Sequence, residues 1–386
     1  MANRRALALY IVIVLVSMLF SFVAKRGIPT VARNGAVIGS VSSAGTRTIA
    51  RRSFSFSSSS WSPKSTGGSS KSFTTATGAA ASASAAAAAT NYDNALTSVL
   101  HYEVAVAYQP KDREESNLFK KKHNKPSPAL ESPSGEDNLF VSKELGQGYL
   151  AVGVADGVGG WSEAGYDSSA ISRELCASFR AKFEASEDLA NVTPKQLLSK
   201  AFEEITHSPK VEIGGTTACF GILTPDKKLK VSNLGDSWCG LFRDYQLINE
   251  SHFQTHNFNT PYQLAKIPKQ IVRQAELEGR RYIIDSPELA DEYVWDLQSG
   301  DVIMFATDGV TDNVIPKDIE IFLKDQLDEK SNKLDEVAQL FVKEVVKVSK
   351  DTNFPSAFAQ ELSRLTGQKY LGGKEDDITV VLVKVK

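Results

Sequence analysis

Four groups of carboxylates stand at the ends of apolar runs. Val302-Ile303-Met304-Phe305-Ala306-Thr307 runs into Asp308-Gly309, with Asp312 four residues on. Tyr149 to Ala155 runs into Asp156-Gly157. Glu375-Asp376-Asp377 opens the run from Ile378 to Val383, and Glu136-Asp137-Asn138 opens Leu139-Phe140-Val141. A single Asp-Gly is an ordinary way to turn a chain. Four acidic groups, each tied to a strand that must be buried, point to carboxylates gathered at one edge of a core. Such groups repel one another unless a cation neutralises them. No His or Cys lies within the clusters. An all-oxygen set suits hard cations such as Mg²⁺ or Mn²⁺ and disfavours zinc. Several carboxylates can hold two such ions ~4 Å apart and clamp an attacking water and a phosphoryl oxygen. Glycine after Asp156 lets its own carbonyl join the shell. Metal-assisted hydrolysis of a phosphate ester is the reaction this chemistry suits.

The elements that must position these groups are short strands and grouped helices. Residues 302–306 and 149–155 are unbroken apolar runs of strand length. Tyr102–Tyr108 alternates like a half-buried strand. Residues 219–223, 228–233 and 238–242 form a meander joined by the turns at Pro225-Asp226 and Leu234-Gly235-Asp236-Ser237. A helix is expected over 167–185, with Ile171, Leu175 and Phe179 on one face. Another starts at Thr193-Pro194, with Thr as cap and Pro at the first helical position. Residues 110–135 read as a polar loop, and 244–300 as a long polar insertion with a helical piece near 268–279. Helices are expected near 316–327, 333–349 and 355–367, and a last strand over 378–385. This order points to an α+β fold, not a doubly wound sheet.

The net charge of −2 hides an asymmetry. Residues 1–92 hold seven Arg, three Lys and no acid, a charge of +10 that leaves −12 for the remainder. The acidic body gives no reason to expect nucleic-acid binding. Cys176, Cys219 and Cys239 include no Cys-x-x-Cys pair, which argues against a disulfide scaffold or a zinc knuckle. Residues 6–24 are uncharged and almost wholly apolar, between Arg4-Arg5 and Lys25-Arg26. As a helix they reach about 28 Å, close to the hydrocarbon thickness of a bilayer. The chain therefore divides into an anchor or targeting segment (1–30), a disordered basic Ser/Ala-rich linker (31–95) and a folded body (96–386). An Arg-rich, Ser-rich, acid-poor leader has the character of a mitochondrial targeting segment. The expected location is the mitochondrial inner membrane, with the endoplasmic reticulum or nuclear envelope as the alternative.

Six motifs in order, Glu136-Asp137, Asp156-Gly157, Gly214-Gly215-Thr216-Thr217, Asn233 to Ser237, Ala306 to Asp312 and Glu375 to Val380, resemble the metal-dependent protein phosphatase family, protein phosphatase type 2C. The resemblance covers about residues 100–386 and lies nearest the mitochondrial homolog 7 branch. It implies a four-layer α-β-β-α sandwich: two antiparallel sheets face to face with helices outside. It implies hydrolysis of phosphoserine and phosphothreonine by a dimetal-bridged water, with two or three Mg²⁺ or Mn²⁺ and no covalent phosphoenzyme. Phosphoprotein substrates among mitochondrial metabolic enzymes, those of coenzyme Q synthesis included, follow by analogy. Carried over, Asp156 bridges two metals, Gly157 gives a carbonyl oxygen, and Asp308 and Asp376 complete the dimetal site. Glu136 holds the second metal directly or through water, with Asp137 outside it. Asp236, with Asp312 assisting, matches a weaker third position.

Two positions depart from the family pattern. Val158 stands where a proposed general-acid His is common, and Ser132 where an Arg often grips phosphate. Lys122, His123, Lys125, His252 and His256 are the candidates to replace them. Simpler readings stand beside these. Asp137 and Asp377 also suit capping of backbone amides. Gly214–Thr217 reads as a turn entering a strand, and Trp161 and Trp238 as packing. A phosphatase fold that binds phosphoproteins without cleaving them is the competing class, and hydrolysis of small phosphate esters the competing reaction.

Overall fold

The computed structural model describes residues 96–113, 132–146 and 148–386. The chain begins with β1 (Leu96–Ser98), β2 (Tyr102–Gln109), β3 (Asp137–Val141) and β4 (Leu150–Asp156). Helices α1 (Gly160–Glu163), α2 (Ser169–Glu184) and α3 (Pro194–His207) follow. Thr193 caps α3 in a reciprocal box with Gln196, and Pro194 takes the first turn, where its missing N–H costs nothing. Next come β5 (Gly214–Thr216), β6 (Ala218–Leu223), β7 (Lys228–Leu234), β8 (Trp238–Arg243) and β9 (Gln246–Glu250). The stretch beyond holds β10 (Thr255–Asn257), β11 (Thr260–Pro261), β12 (Leu264–Lys266), α4 (Lys269–Leu277) and β13 (Asp291–Asp296). The last part is β14 (Val302–Ala306), α5 (Asp308–Thr311), α6 (Pro316–Leu323), α7 (Leu334–Ser349), α8 (Ala357–Thr366) and β15 (Ile378–Val385).

Two antiparallel sheets result, ordered β1-β2-β15-β14-β8-β9 and β13-β7-β6-β4-β3. Side chains alternate faces along each strand. Val104, Val106, Ile303, Phe305, Val381 and Val383 of the first sheet meet Val152, Val154, Cys219, Leu229 and Val231 of the second. The intervening residues Ala105, Met304, Val380 and Leu382 face outward against Phe322 of α6 and Val337, Phe341 and Val345 of α7. On the other side Phe140, Ala151, Phe220 and Ile222 pack against Ile171, Leu175 and Phe179 of α2 and Leu197 and Ala201 of α3. The layers therefore run helix, sheet, sheet, helix. This mixed α+β arrangement has the two antiparallel sheets expected from the sequence.

The register brings the acidic ends together. Ala306 at the end of β14 pairs with Val380 near the start of β15. Asp156 at the end of β4 pairs with Asp137 at the start of β3. An antiparallel partner begins where its neighbour ends, so four acidic strand ends fall on one edge of the sandwich.

The stretch 244–300 is only in part a polar insertion. Its two ends are strands, β9 pairing with β8 and β13 pairing with β7 along six residues. Edge strand β13 exposes alternate residues, Glu292, Val294 and Asp296, so no apolar run announces it. The helix expected over 316–327 ends at Leu323 and passes into a wider π turn, Lys324–Glu329. Among the described residues no helix is long and apolar enough to cross a membrane. The proposed anchor, residues 6–24, and the linker lie outside the described residues.

Candidate metal centre

Close backbone contacts set the site before any side chain does. The Gly157 N–H donates to the Glu136 carbonyl at 3.1 Å. A methyl group on Gly157 would lie 2.5 Å from the Ser168 carbonyl oxygen and 2.7 Å from that of Glu136. One on Gly309 would lie 1.9 Å from the Asp377 carbonyl oxygen. Only glycine lets α5 back onto the segment before β15, and that contact brings Asp308 beside Asp376. Thr217 does a second job of alignment. Its hydroxyl oxygen accepts the Asp156 N–H at 3.0 Å, its N–H donates to the Asp156 carbonyl at 2.9 Å, and it shares a 2.7 Å hydrogen bond with the Ser237 hydroxyl. The turns carrying Asp156 and Asp236 are thereby tied together. Gly214–Thr216 is more than a turn, because it forms β5 and pairs with β12.

Five carboxylates, those of Asp156, Asp236, Asp308, Asp312 and Asp376, share this edge. Burial pushes Asp156 well above the usual carboxylate range, and Asp308, Asp137, Asp376 and Asp236 push it further. Burial, then Asp308 and Asp312, do the same to Asp236. Asp312 is pushed up to about 7 by burial, against the opposing pull of Lys374. Burial acts upward on Asp376 as well, but the ammoniums of Lys374 and Lys111 hold it down to about 2. The upward shifts of Asp156, Asp236 and Asp312 are those of negative groups short of positive charge.

Three side chains of the chain itself supply some of that charge. Lys374 Nζ lies 2.7 Å from Asp308, 3.4 Å from Asp376 and in close contact with Asp312. Lys111 Nζ bridges Asp376 at 2.8 Å and Glu136 at 3.1 Å. Arg113 bridges Glu136 at 3.0 Å and Asp377 at 2.5 Å. Among the described residues no three acid, His or Cys side chains form a ready-made ligand cluster. The donor set is nonetheless all oxygen, repels itself and is held by contacts that admit no side chain at positions 157 and 309. That chemistry fits hard divalent cations.

The other sequence candidates fall into place around this edge. Glu136 is buried, accepts a hydrogen bond from the Ser168 hydroxyl at 2.6 Å and faces Lys111 and Arg113. Burial opposes its ionisation, yet Lys111, Ser168 and Arg113 keep its carboxyl below the usual range. Asp137 is buried and accepts from the Thr307 hydroxyl at 2.7 Å, which ties β3 to the end of β14. Asp377 caps backbone, accepting from Glu136 N–H and Lys111 N–H at 2.8 Å each. Glu375 is exposed.

Ser132 is buried and bonded to the Asp137 carbonyl, so it cannot reach a phosphate. Val158 packs near Gly215. His252 and His256 do not form a pair: His252 meets Tyr293 edge-on, while His256 faces the Asp285 carboxylate at 3.0 Å and stacks on Tyr262. Lys122, His123 and Lys125 lie outside the described residues. Trp238 is buried and donates to Glu250, and Trp161 stacks on Tyr282. Cys176, Cys219 and Cys239 are free and buried, and burial pushes their thiols up. Sequence reasoning missed Lys111, Arg113 and Lys374. The only signal for Lys374 was a lysine directly before Glu375-Asp376-Asp377, a weak one because bases commonly flank acids.

Comparison with known proteins identifies the family. Protein phosphatase 2C homolog 7, mitochondrial, of Saccharomyces cerevisiae is 50% identical over 288 residues, 74% of this chain and 82% of that protein. The chain belongs to the protein phosphatase 2C family. A family model described as Stage II sporulation protein E matches residues 146–386. The 5-azacytidine resistance protein azr1 of Schizosaccharomyces pombe is 34% identical, over 70% of this chain and 89% of that protein. Among solved structures, the photosystem II phosphatase PBCP superposes with a TM-score of 0.57 at 26% identity, covering 74% of this chain and 99% of that one. This member of the 2C family thus shares its fold with a protein named as a phosphatase.

Proposed function

We propose that the chain is a metal-dependent protein serine/threonine phosphatase of the mitochondrion. The observation that carries this reading is the convergence of five carboxylates from both sheets on one edge, with family membership beside it. Asp156, the Gly157 carbonyl, Asp308 and Asp376 would hold the ions, with Glu136 at the second position and Asp236 and Asp312 at the outer end. When bound there, Mg²⁺ or Mn²⁺ supplies Lewis acidity toward phosphoryl oxygens and makes water a competent nucleophile near neutral pH.

The chain's own residues do the rest. Asp377 fixes Glu136 through its backbone N–H. Thr217 fixes Asp156. Arg113 and Lys111, each about one-third exposed at the rim, bring positive charge to the place a phosphate dianion must enter. Val158 has no proton to give, so the departing seryl or threonyl oxygen takes its proton from water or from another residue. The name of the yeast relative supports a mitochondrial location. Substrates among mitochondrial metabolic enzymes, those of coenzyme Q synthesis included, are proposed from the family resemblance by analogy alone.

The test is phosphate release from phosphothreonine peptides by the full-length chain, with and without Mn²⁺, beside Asp308→Asn. Metal-dependent turnover that the substitution abolishes supports the reading. Peptide binding without turnover would favour the phosphoprotein-binding module, and faster turnover of small phosphate esters would favour a metabolite phosphatase.

The division of the chain belongs to the same proposal: an anchor in 1–30, a linker in 31–95 and the phosphatase body from 96. An apolar run of nineteen residues between basic pairs supports inner-membrane attachment through residues 6–24. The chain should resist alkaline extraction from mitochondrial membranes, and a form lacking residues 1–30 should be released. Release of both forms would remove the anchor from the account.

A further inference from the structure

The ammonium of Lys374 is placed as a cation ligated by the site. It lies 2.7 Å from Asp308 Oδ2, 3.4 Å from Asp376 Oδ2 and against Asp312 Oδ2, so its three donors face three carboxylates. The side chain is only 17% exposed, and the Phe358 ring lies 5.5 Å from the charge. This position is not an accident of a flexible stem. Asn313, buried at 1% exposure, clamps the lysine backbone from both sides. Its Oδ1 accepts the Lys374 N–H at 2.9 Å, and its Nδ2 donates to the Lys374 carbonyl and the Gly309 carbonyl at 2.8 Å each. Lys374 is thereby locked to the short helix that begins at Asp308 and to the turn just after it that carries Asp312.

We propose that Lys374 is a tethered cation that permanently fills the subsite between Asp308 and Asp312, so that this chain binds two divalent ions and not three. The inference rests on the reading of the acidic edge as a metal centre. A divalent ion on the Asp308–Asp312 side would need the oxygens that the ammonium already engages, and would meet its positive charge at contact range. On the other side no cation among the described residues bonds Asp156, and Asp376 is met by Lys374 only at 3.4 Å and by Lys111, from the rim, at 2.8 Å. Lys111 and Arg113 hold Glu136 from the more exposed rim, with side chains 29% and 33% exposed, and have room to withdraw. The built-in charge would make the enzyme independent of a third, weakly held ion.

The experiment counts Mn²⁺ bound per full-length chain in detergent, by equilibrium dialysis and by the loss of the free-Mn²⁺ electron paramagnetic resonance signal. The wild type should saturate at two. Lys374→Met, which keeps the length and removes the charge, should saturate at three, and Lys374→Arg should stay at two. Lys374→Gln serves as a smaller neutral replacement should Lys374→Met fold poorly, with three again expected. Three ions on the wild type would overturn the proposal without any variant. Two ions on both neutral variants would also overturn it, while leaving the metal centre intact. No ions on the wild type would overturn the reading of the centre and this proposal with it.

Discussion

Replacing Gly309 by alanine tests whether the acidic edge depends on one backbone contact. The added methyl would stand 1.9 Å from the Asp377 carbonyl oxygen, 2.9 Å from its carbon and 3.1 Å from Ile378 Cγ1. Reaching even 3.0 Å from that oxygen requires a separation of about 1 Å between α5 and the segment before β15. Neither side yields easily. The Gly309 carbonyl is held by Asn313, and Asp377 holds the backbone of Glu136 and Lys111. Overpacking of this kind costs about 1–3 kcal/mol. A misplacement of ~1 Å at reacting groups costs on the order of 100-fold in rate. Gly309→Ala should therefore lower the urea midpoint by the equivalent of about 1–3 kcal/mol and reduce kcat on a phosphothreonine peptide about 100-fold. Gly160→Ala is the control, because its methyl would meet no atom within 4 Å. Wild-type stability and kcat in Gly309→Ala would refute the argument that this contact sets the distance between Asp308 and Asp376.

Two further outcomes follow from the same structure. In the metal-stripped chain, Asp156, Asp236 and Asp312 hold protons more tightly when folded than the usual value near 4 of an unfolded carboxyl. Stability should then fall as pH rises from about 4 to 7, whereas the depressed Asp376 and Glu136 withdraw their contribution only below about 4. Urea midpoints at about pH 5.5 and 7.5 check the sign. A higher midpoint at the upper pH without Mn²⁺, or no narrowing of the gap in Asp236→Asn, would contradict it. Away from the site, Phe220 is fully buried with ring centroids 4.7 Å from Phe179 and 5.1 Å from Phe140. Phe220→Ala should cost about 3–5 kcal/mol in urea unfolding, and a loss under about 1 kcal/mol would show that α2 does not depend on this cluster.

The strands that end in acid were legible because burial and chemistry agreed there. A run such as Val302–Ala306 has no polar residue to expose, and its end must turn at Asp308-Gly309. The last strand was read over 378–385 and spans Ile378–Val385. Helix α7 was legible from its apolar spacing at Leu334, Val337, Phe341 and Val345. Strand β13 was not, because an edge strand with polar residues on its open face carries no distinctive period. The cations were illegible for another reason. Lys111 and Arg113 come from a loop read as solvated, and Lys374 acts on Asp308 from 66 positions away. Long flexible side chains carry no pattern that says which carboxylate they will meet. Asp377 is open between ligand and cap on sequence alone; its partners are two backbone N–H groups and the Arg113 guanidinium.

The most direct measurement is crystallographic: diffraction from Mn²⁺-soaked crystals of the chain, collected for the anomalous signal of manganese. The account predicts two anomalous peaks within ligand distance of Asp156, Asp308, Asp376 and Glu136, with Lys374 still seated between Asp308 and Asp312. Peaks elsewhere on the surface, or none at the edge where the two sheets gather their carboxylates, would contradict it.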